Sequence, residues 1–132
     1  MQTRPEEYTS PFSARYCSPE MSRLFSPRFK ASIFRKLWIA LAKVQQKLGL
    51  PIKDRQIDQM EEKAEQIDFG QIYEYEKKFR HDVMAHIHAF GDLCPEAKPI
   101  IHWGATSSYL TDNADLIQLK EGLSLLFQKL LH

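Results

Sequence analysis

SPRFKASIFRKLWIALAKVQQKLGLP, Ser26 to Pro51, decides the fold class. Ser26-Pro27 is a helix start, a capping hydroxyl followed by a proline at the first helical position. Phe29, Ile33, Leu37, Leu41, Val44 and Leu48 then recur at intervals of three or four until Gly49 and Pro51 stop the pattern, which predicts a long amphipathic helix. Outward from it the same grammar repeats. Ser18-Pro19-Glu20 supplies a cap, a proline and a first-turn acid for a short helix. Asp54 is expected to cap a segment with Ile57, Met60, Ala64 and Ile67 on one face. Asp68 is expected to cap another that runs unbroken to Phe90-Gly91, with Phe69, Ile72, Tyr75 or Glu76, Phe79, Val83, Ile87 and Phe90 along its seam. Pro95 and Pro99 bracket a loop, and Ile100-Ile101-His102-Trp103 is too short to classify. Gly104-Ala105-Thr106-Ser107-Ser108 reads as a turn into a last helix carrying Leu110, Ala114, Ile117, Leu123, Leu126 and Leu130. Residues 1–17, with Pro5 and Pro11, read as an irregular arm. Neither β-alternation nor an internal repeat is visible, so the class is all-α.

The chain has 132 residues, enough for one domain with a real core, and 43% apolar with 27% charged residues is ordinary for a soluble globular protein. Eighteen Lys and Arg interleave with seventeen Asp and Glu for a net charge of +1, so there is no broad basic face and nucleic acid is not an expected partner. Cys17 and Cys94 lie far apart without zinc-finger spacing, which implies neither a disulfide framework nor a zinc module and fits a reducing, cytoplasmic setting. Met1-Gln2-Thr3-Arg4-Pro5-Glu6-Glu7 lacks an apolar leader core. No stretch reaches the ~18 apolar residues of a membrane span, so no membrane partner is expected. Leu123-Ser124-Leu125-Leu126-Phe127-Gln128-Lys129-Leu130-Leu131-His132 is strongly apolar and ends without Gly, Asn or Pro. Such an end implies packing against another chain or continuation into a longer polypeptide.

Two polar strings stand in this apolar helical background, Arg80-His81-Asp82-Val83-Met84-Ala85-His86 and His102-Trp103-Gly104-Ala105-Thr106-Ser107-Ser108. On the expected continuous helix, Asp82 and His86 share a face, but two ligands do not make a metal site, and His81 and His88 are about 10 Å apart along the axis. His86 and His88 read as helix-surface or core-edge histidines. Arg80-His81-Asp82 either continues the solvated charges of Glu74, Glu76, Lys77 and Lys78 or forms a binding cluster in which a carboxylate orients a histidine as donor to an anion. Thr106 and Ser107 either cap a helix or, with the exposed N–H groups of its first turn, hold a carboxylate or phosphate. The GK[ST] of a triphosphate loop is missing. Arg15-Tyr16 could give a cation and a phenol to a ligand, or be a surface pair.

Taken in order, Ser13-Ala14-Arg15-Tyr16-Cys17-Ser18-Pro19-Glu20-Met21, Leu48-Gly49-Leu50-Pro51-Ile52, Arg80 to His86, and Ile101 to Tyr109 running on to Asp112-Asn113 resemble the N-terminal part of the adenylosuccinate lyase family, in the fumarase/aspartase superfamily. HDVMAH followed by HxGATS is the most specific part of the match. The resemblance implies the N-terminal helical domain over 1–108 and, over 109–132, the opening of a long central bundle helix. It also implies a lyase of purine biosynthesis. Such an enzyme releases fumarate by β-elimination from adenylosuccinate, giving AMP, and from succinylated aminoimidazole carboxamide ribotide, without metal or organic cofactor, in a cytoplasmic homotetramer. By position Arg15 and Tyr16 would contact the nucleotide and Arg80, His81 and Asp82 would hold and orient substrate. Thr106 and Ser107 would bind the succinyl part, with His102 lining the same pocket. The family's general-base serine and general-acid histidine fall in later segments, so no residue here is expected to be catalytic, and the 132-residue chain alone is expected to be inactive. The alternative is a free-standing helical nucleotide-binding or regulatory module without catalysis.

Overall fold

Two Ser-Pro pairs start two helices in succession. In the computed structural model, which describes residues 10–131, Ser18 caps α1 (Pro19–Leu24) by accepting from the Met21 N–H at 3.3 Å, and Ser26 caps α2 (Pro27–Lys47) from the Phe29 N–H at 3.2 Å. Further along lie α3 (Asp54–Lys63), α4 (Phe69–Phe79), α5 (Asp82–Leu93) and α6 (Ser107–Leu131), so the described residues are all-α. Residues 1–9 of the expected arm, Pro5 included, lie outside the described residues. Within 10–17 the chain is not wholly irregular, because Phe12–Tyr16 winds one exposed π-type turn.

The long central helix forms as its periodicity requires, and Ile33, with Phe29 and Leu37 beside it, joins the core as expected, but the buried face is wider than the expected stripe and leaves out its C-terminal end. Ala31, Ile33, Phe34, Arg35, Trp38, Ile39 and Ala42 are buried, whereas Val44 and Leu48 are exposed. The difference follows from what covers the helix. Phe90 stacks on Trp38 at 6.1 Å and His86 meets Phe34 edge-on at 5.3 Å, so α5 lies over the Phe34–Trp38 side, and among the described residues Val44 and Leu48 stay exposed. Ile57 and Met60 of α3 and Leu110 and Ala114 of α6 complete the same core with Ile100 and Ile101.

The segment expected as one helix from Asp68 to Phe90 is two. Asp68 does cap the start, accepting from the Gln71 N–H at 3.2 Å, but the helix ends at Arg80, whose φ of 50° and ψ of 40° are left-handed, and His81 begins another. The halves fold back antiparallel. Gln71 and Tyr75 both donate to Asp92, and the His88 ring lies against Tyr75 at 5.3 Å and Phe79 at 4.5 Å. Burial of Ile72 with Ala85 and Ala89 seals the hairpin, alanine allowing close approach of the two backbones. The apolar period hid the break because Phe79 and Val83 keep helical spacing across it.

Asp54 does not cap α3. Lys53, which has no acceptor to offer, occupies that position, the Gln56 side chain accepts from the Lys53 N–H at 2.9 Å, and Asp54 accepts instead from Gln46 at 2.7 Å. The other end of α3 is closed from the core. Arg35, 2% exposed, donates through one guanidinium nitrogen to the carbonyls of Lys63, Ala64 and Gln66 at 2.8, 3.2 and 2.6 Å, with its cation 4.5 Å from the centre of the Phe90 ring.

Helix α6 buries a narrow stripe, Leu110, Ala114, Gln118 and Gly122, one residue per turn. Gln118 donates to the carbonyl of Leu24 at 2.9 Å and so closes the end of α1. Past Gly122 the stripe has no cover, and of the expected seam Leu123, Leu126 and Leu130 are exposed, together with Phe127 and Leu131.

Candidate functional site

The hairpin break turns the Arg80-His81-Asp82 string from a stretch of helix surface into a corner. His81 is the N-cap of α5, its Nδ1 accepting from the Met84 N–H at 3.3 Å, which leaves Nε2 as the protonated nitrogen of the neutral ring and an available donor. The Asp82 carboxylate lies 3.7 Å from the same Nδ1, too long for a hydrogen bond, and accepts instead from the Val83 N–H at 2.8 Å. Arg80 holds a backbone conformation that glycine or asparagine normally fills at a helix end. Among the described residues only one other non-glycine has positive φ, His102 at 67°. Both belong to the two polar strings. Backbone held in a sparsely populated region costs on the order of 1 kcal/mol per residue and concentrates where a side chain must be aimed.

His102 is held below the usual imidazole range, first by burial and then by repulsion from a protonated His81. Three contacts from α2 fix the segment that carries His102. Trp38 donates its indole N–H to His102 Nδ1 at 3.1 Å, Gln45 donates to the Trp103 carbonyl at 2.7 Å, and the Leu37 carbonyl accepts from the Tyr109 hydroxyl at 2.8 Å. The chain then turns through Gly104, at φ 70°, into α6. Thr106 and Ser107 stand at that helix start, Thr106 exposed and Ser107 half-buried, beside first-turn N–H groups that favour an anion.

Not every expected residue joins this group. Arg15 and Tyr16 sit exposed at the end of the π-type turn ahead of α1, Tyr16 beside Phe12 at 6.5 Å, and no hydrogen bond or ion pair links either to the 80–82 or 102–107 residues. Asp82 and His86 face a separate cleft of about 270 Å³ with Phe25, Lys30, Phe34 and Phe69. Among the described residues no three His, Cys, Asp or Glu side chains gather where they could share a metal ion. His86 and His88 pack on aromatic rings, as core-edge histidines do. Trp38, Gln45 and Tyr109 carry the geometry of the site without having been singled out in the sequence. The one available signal was that a buried indole N–H needs an acceptor, and it does not say which.

An adenylosuccinate lyase of Schistosoma mansoni is 49% identical over 94% of this chain, and that alignment takes in 26% of the relative. The chain is a homologue of the adenylosuccinate lyases. The Saccharomyces cerevisiae adenylosuccinate lyase is 45% identical over 96% of the chain and 27% of its own length, and that of Methanocaldococcus jannaschii 34% identical over 91% and 26%. The chain thus spans about a quarter of the length of the curated relatives it matches. No protein-family model matches it. An all-α arrangement is consistent with the N-terminal region of fumarase/aspartase superfamily members. The family resemblance to these C–N lyases extends over nearly the whole chain.

Proposed function

We propose that this chain is the N-terminal part of an adenylosuccinate lyase and supplies substrate-holding residues to a β-elimination that releases fumarate from adenylosuccinate, giving AMP, and from succinylated aminoimidazole carboxamide ribotide. Identity to adenylosuccinate lyases across more than nine tenths of the chain carries this reading. The exposed corner at Arg80 and His81 and the held ring of His102 are compatible with it. Such a substrate bears a phosphate and two carboxylates, and loss of the Cβ proton builds further negative charge on one carboxylate before the C–N bond breaks. Arg80 and the Nε2–H of His81 offer cation and donor, Asp82 holds the start of α5 through the Val83 N–H beside a neighbouring cleft, and Thr106 and Ser107 present hydroxyls and backbone N–H groups to the succinyl carboxylates. His102 lines the same pocket. Arg15 and Tyr16 serve the nucleotide, the guanidinium matching its phosphate, from a turn that the assembled enzyme brings to the site.

The proton-moving groups are assigned to a serine and a histidine outside residues 1–132, in the length of the relatives that this chain does not span. No metal or organic cofactor enters this scheme. The bare leucine face of α6 supports a homo-oligomer, a tetramer in the complete enzyme, in which 109–132 opens a central bundle helix and 1–108 forms the flanking domain. The cytoplasm is the proposed location. Among the described residues no helix is long and apolar enough to cross a membrane.

Two results test this. The 132-residue chain alone, given adenylosuccinate, should release no fumarate by ultraviolet absorbance, and turnover would overturn the assignment of proton transfer to other segments. In the complete enzyme His81→Ala should lower kcat/KM on either succinyl substrate by roughly ten- to a hundredfold, since a hydrogen bond to a charged group is worth about 1.5–3 kcal/mol. Unchanged kinetics would reduce the His81 corner to a helix cap.

A further inference from the structure

An indole nitrogen can only donate. Trp38, 1% exposed, is boxed in by Phe34 edge-on and Phe90 stacked, both 6.1 Å away, and so has no freedom to turn its N–H elsewhere. That N–H meets His102 Nδ1 at 3.1 Å, with the two rings nearly perpendicular at 86°. The nitrogen it meets must therefore be bare. We propose that Trp38 is a positioning residue for His102: by occupying Nδ1 from a rigid core position it locks the imidazole as the Nε2–H tautomer and leaves that N–H as the one donor the ring can offer a ligand.

Three features make this more than a packing contact. A histidine free to choose divides its proton between two nitrogens, and a ligand needing a donor at Nε2 meets only part of the population. The left-handed backbone of His102 gives the ring a direction that a relaxed loop would not adopt. Just after it, Gln45 of α2 donates to the Trp103 carbonyl and Tyr109 at the start of α6 donates to the Leu37 carbonyl, so the chain leaving His102 is tied to α2. Trp38 thus does at His102 what a second residue commonly does for a functional histidine, fixing one nitrogen so that the other has a single role. His81 is the titratable neighbour that acts on His102, and its own Nδ1 is occupied by the Met84 N–H, so both rings present Nε2. The ligand role of that Nε2–H rests on the proposed function; the tautomer lock does not.

The test is spectroscopic and uses the whole chain labelled with 15N. The wild-type protein should show a scalar coupling across the hydrogen bond between Trp38 Nε1 and His102 Nδ1, with His102 Nδ1 at a bare-nitrogen shift and Nε2 at a protonated one. Trp38→Phe keeps an aromatic ring in the core and removes the donor. It should turn His102 into a tautomer mixture and raise the pH at which it titrates, because a donor on Nδ1 opposes its protonation. Absence of the coupling in the wild type, or an unchanged tautomer in Trp38→Phe, overturns the proposal, and the first measurement needs no variant to fold. In the complete enzyme Trp38→Phe should lower kcat/KM several-fold. If the tautomer shifts and kinetics do not, the ligand role of His102 fails while the lock stands.

Discussion

Replacing Arg35 with alanine should lower the unfolding free energy of the chain by at least about 3 kcal/mol, a large share of the roughly 5–15 kcal/mol that holds a domain of this size. Three carbonyls at the end of α3 share one guanidinium nitrogen, and the same cation lies over the face of Phe90. Burial pulls Arg35 down to about 10, so the group still enters the folded state charged at neutral pH. Its removal leaves those carbonyls without a donor and opens a gap against Phe90. Urea unfolding followed by circular dichroism measures the loss. Arg35→Met separates its two parts, because methionine refills most of the volume but donates nothing. A methionine variant as stable as the wild type would mean that the hydrogen bonds add nothing net and that packing alone sets the loss.

Acidification should destabilise the chain between about pH 6.5 and about pH 4, with His86 responsible for about 3 kcal/mol of the loss. Burial against Phe34, then the positive charge of Arg35, push the His86 imidazole down to about 4 from an ordinary value of 6.5, with Asp82 opposing them weakly. A folded-state value below the unfolded one means that both forms are neutral at pH 7 and His86 favours neither. Below 6.5 the unfolded chain takes up a proton that the folded chain refuses, so stability falls until the folded value is reached. His102 acts in the same direction, and Asp92, held down by its Lys98 and Tyr75 bonds, adds an acid loss of its own. His86→Phe isolates the one contribution. Urea midpoints at about pH 7 and about pH 4.5 should draw closer in the variant than in the wild type. Equal acid losses in the two proteins would mean that His86 is not the group being charged.

The two Ser-Pro starts were readable because a cap and the N–H it accepts from lie three residues apart, within reach of local sequence. The hairpin break was not. Arg80 has none of the turn preference of glycine, and the apolar period runs from Phe79 to Val83 without a fault. The break exists because Tyr75 and Phe79 gain His88, and Ile72 gains Ala85 and Ala89, only if the chain reverses. Arg15 and Tyr16 were named from their string alone, and the chain by itself does not draw them in.

Residue order by itself determined the helix starts, the all-α class and the two polar strings with their family likeness, because each depends on groups a few positions apart. Only the tertiary structure decided which side of α2 is covered, that a cation from the core closes α3, and that a tryptophan inside the core holds the histidine of a distant loop. Those outcomes depend on which distant surfaces exclude water together, and burial of that kind has no local signature.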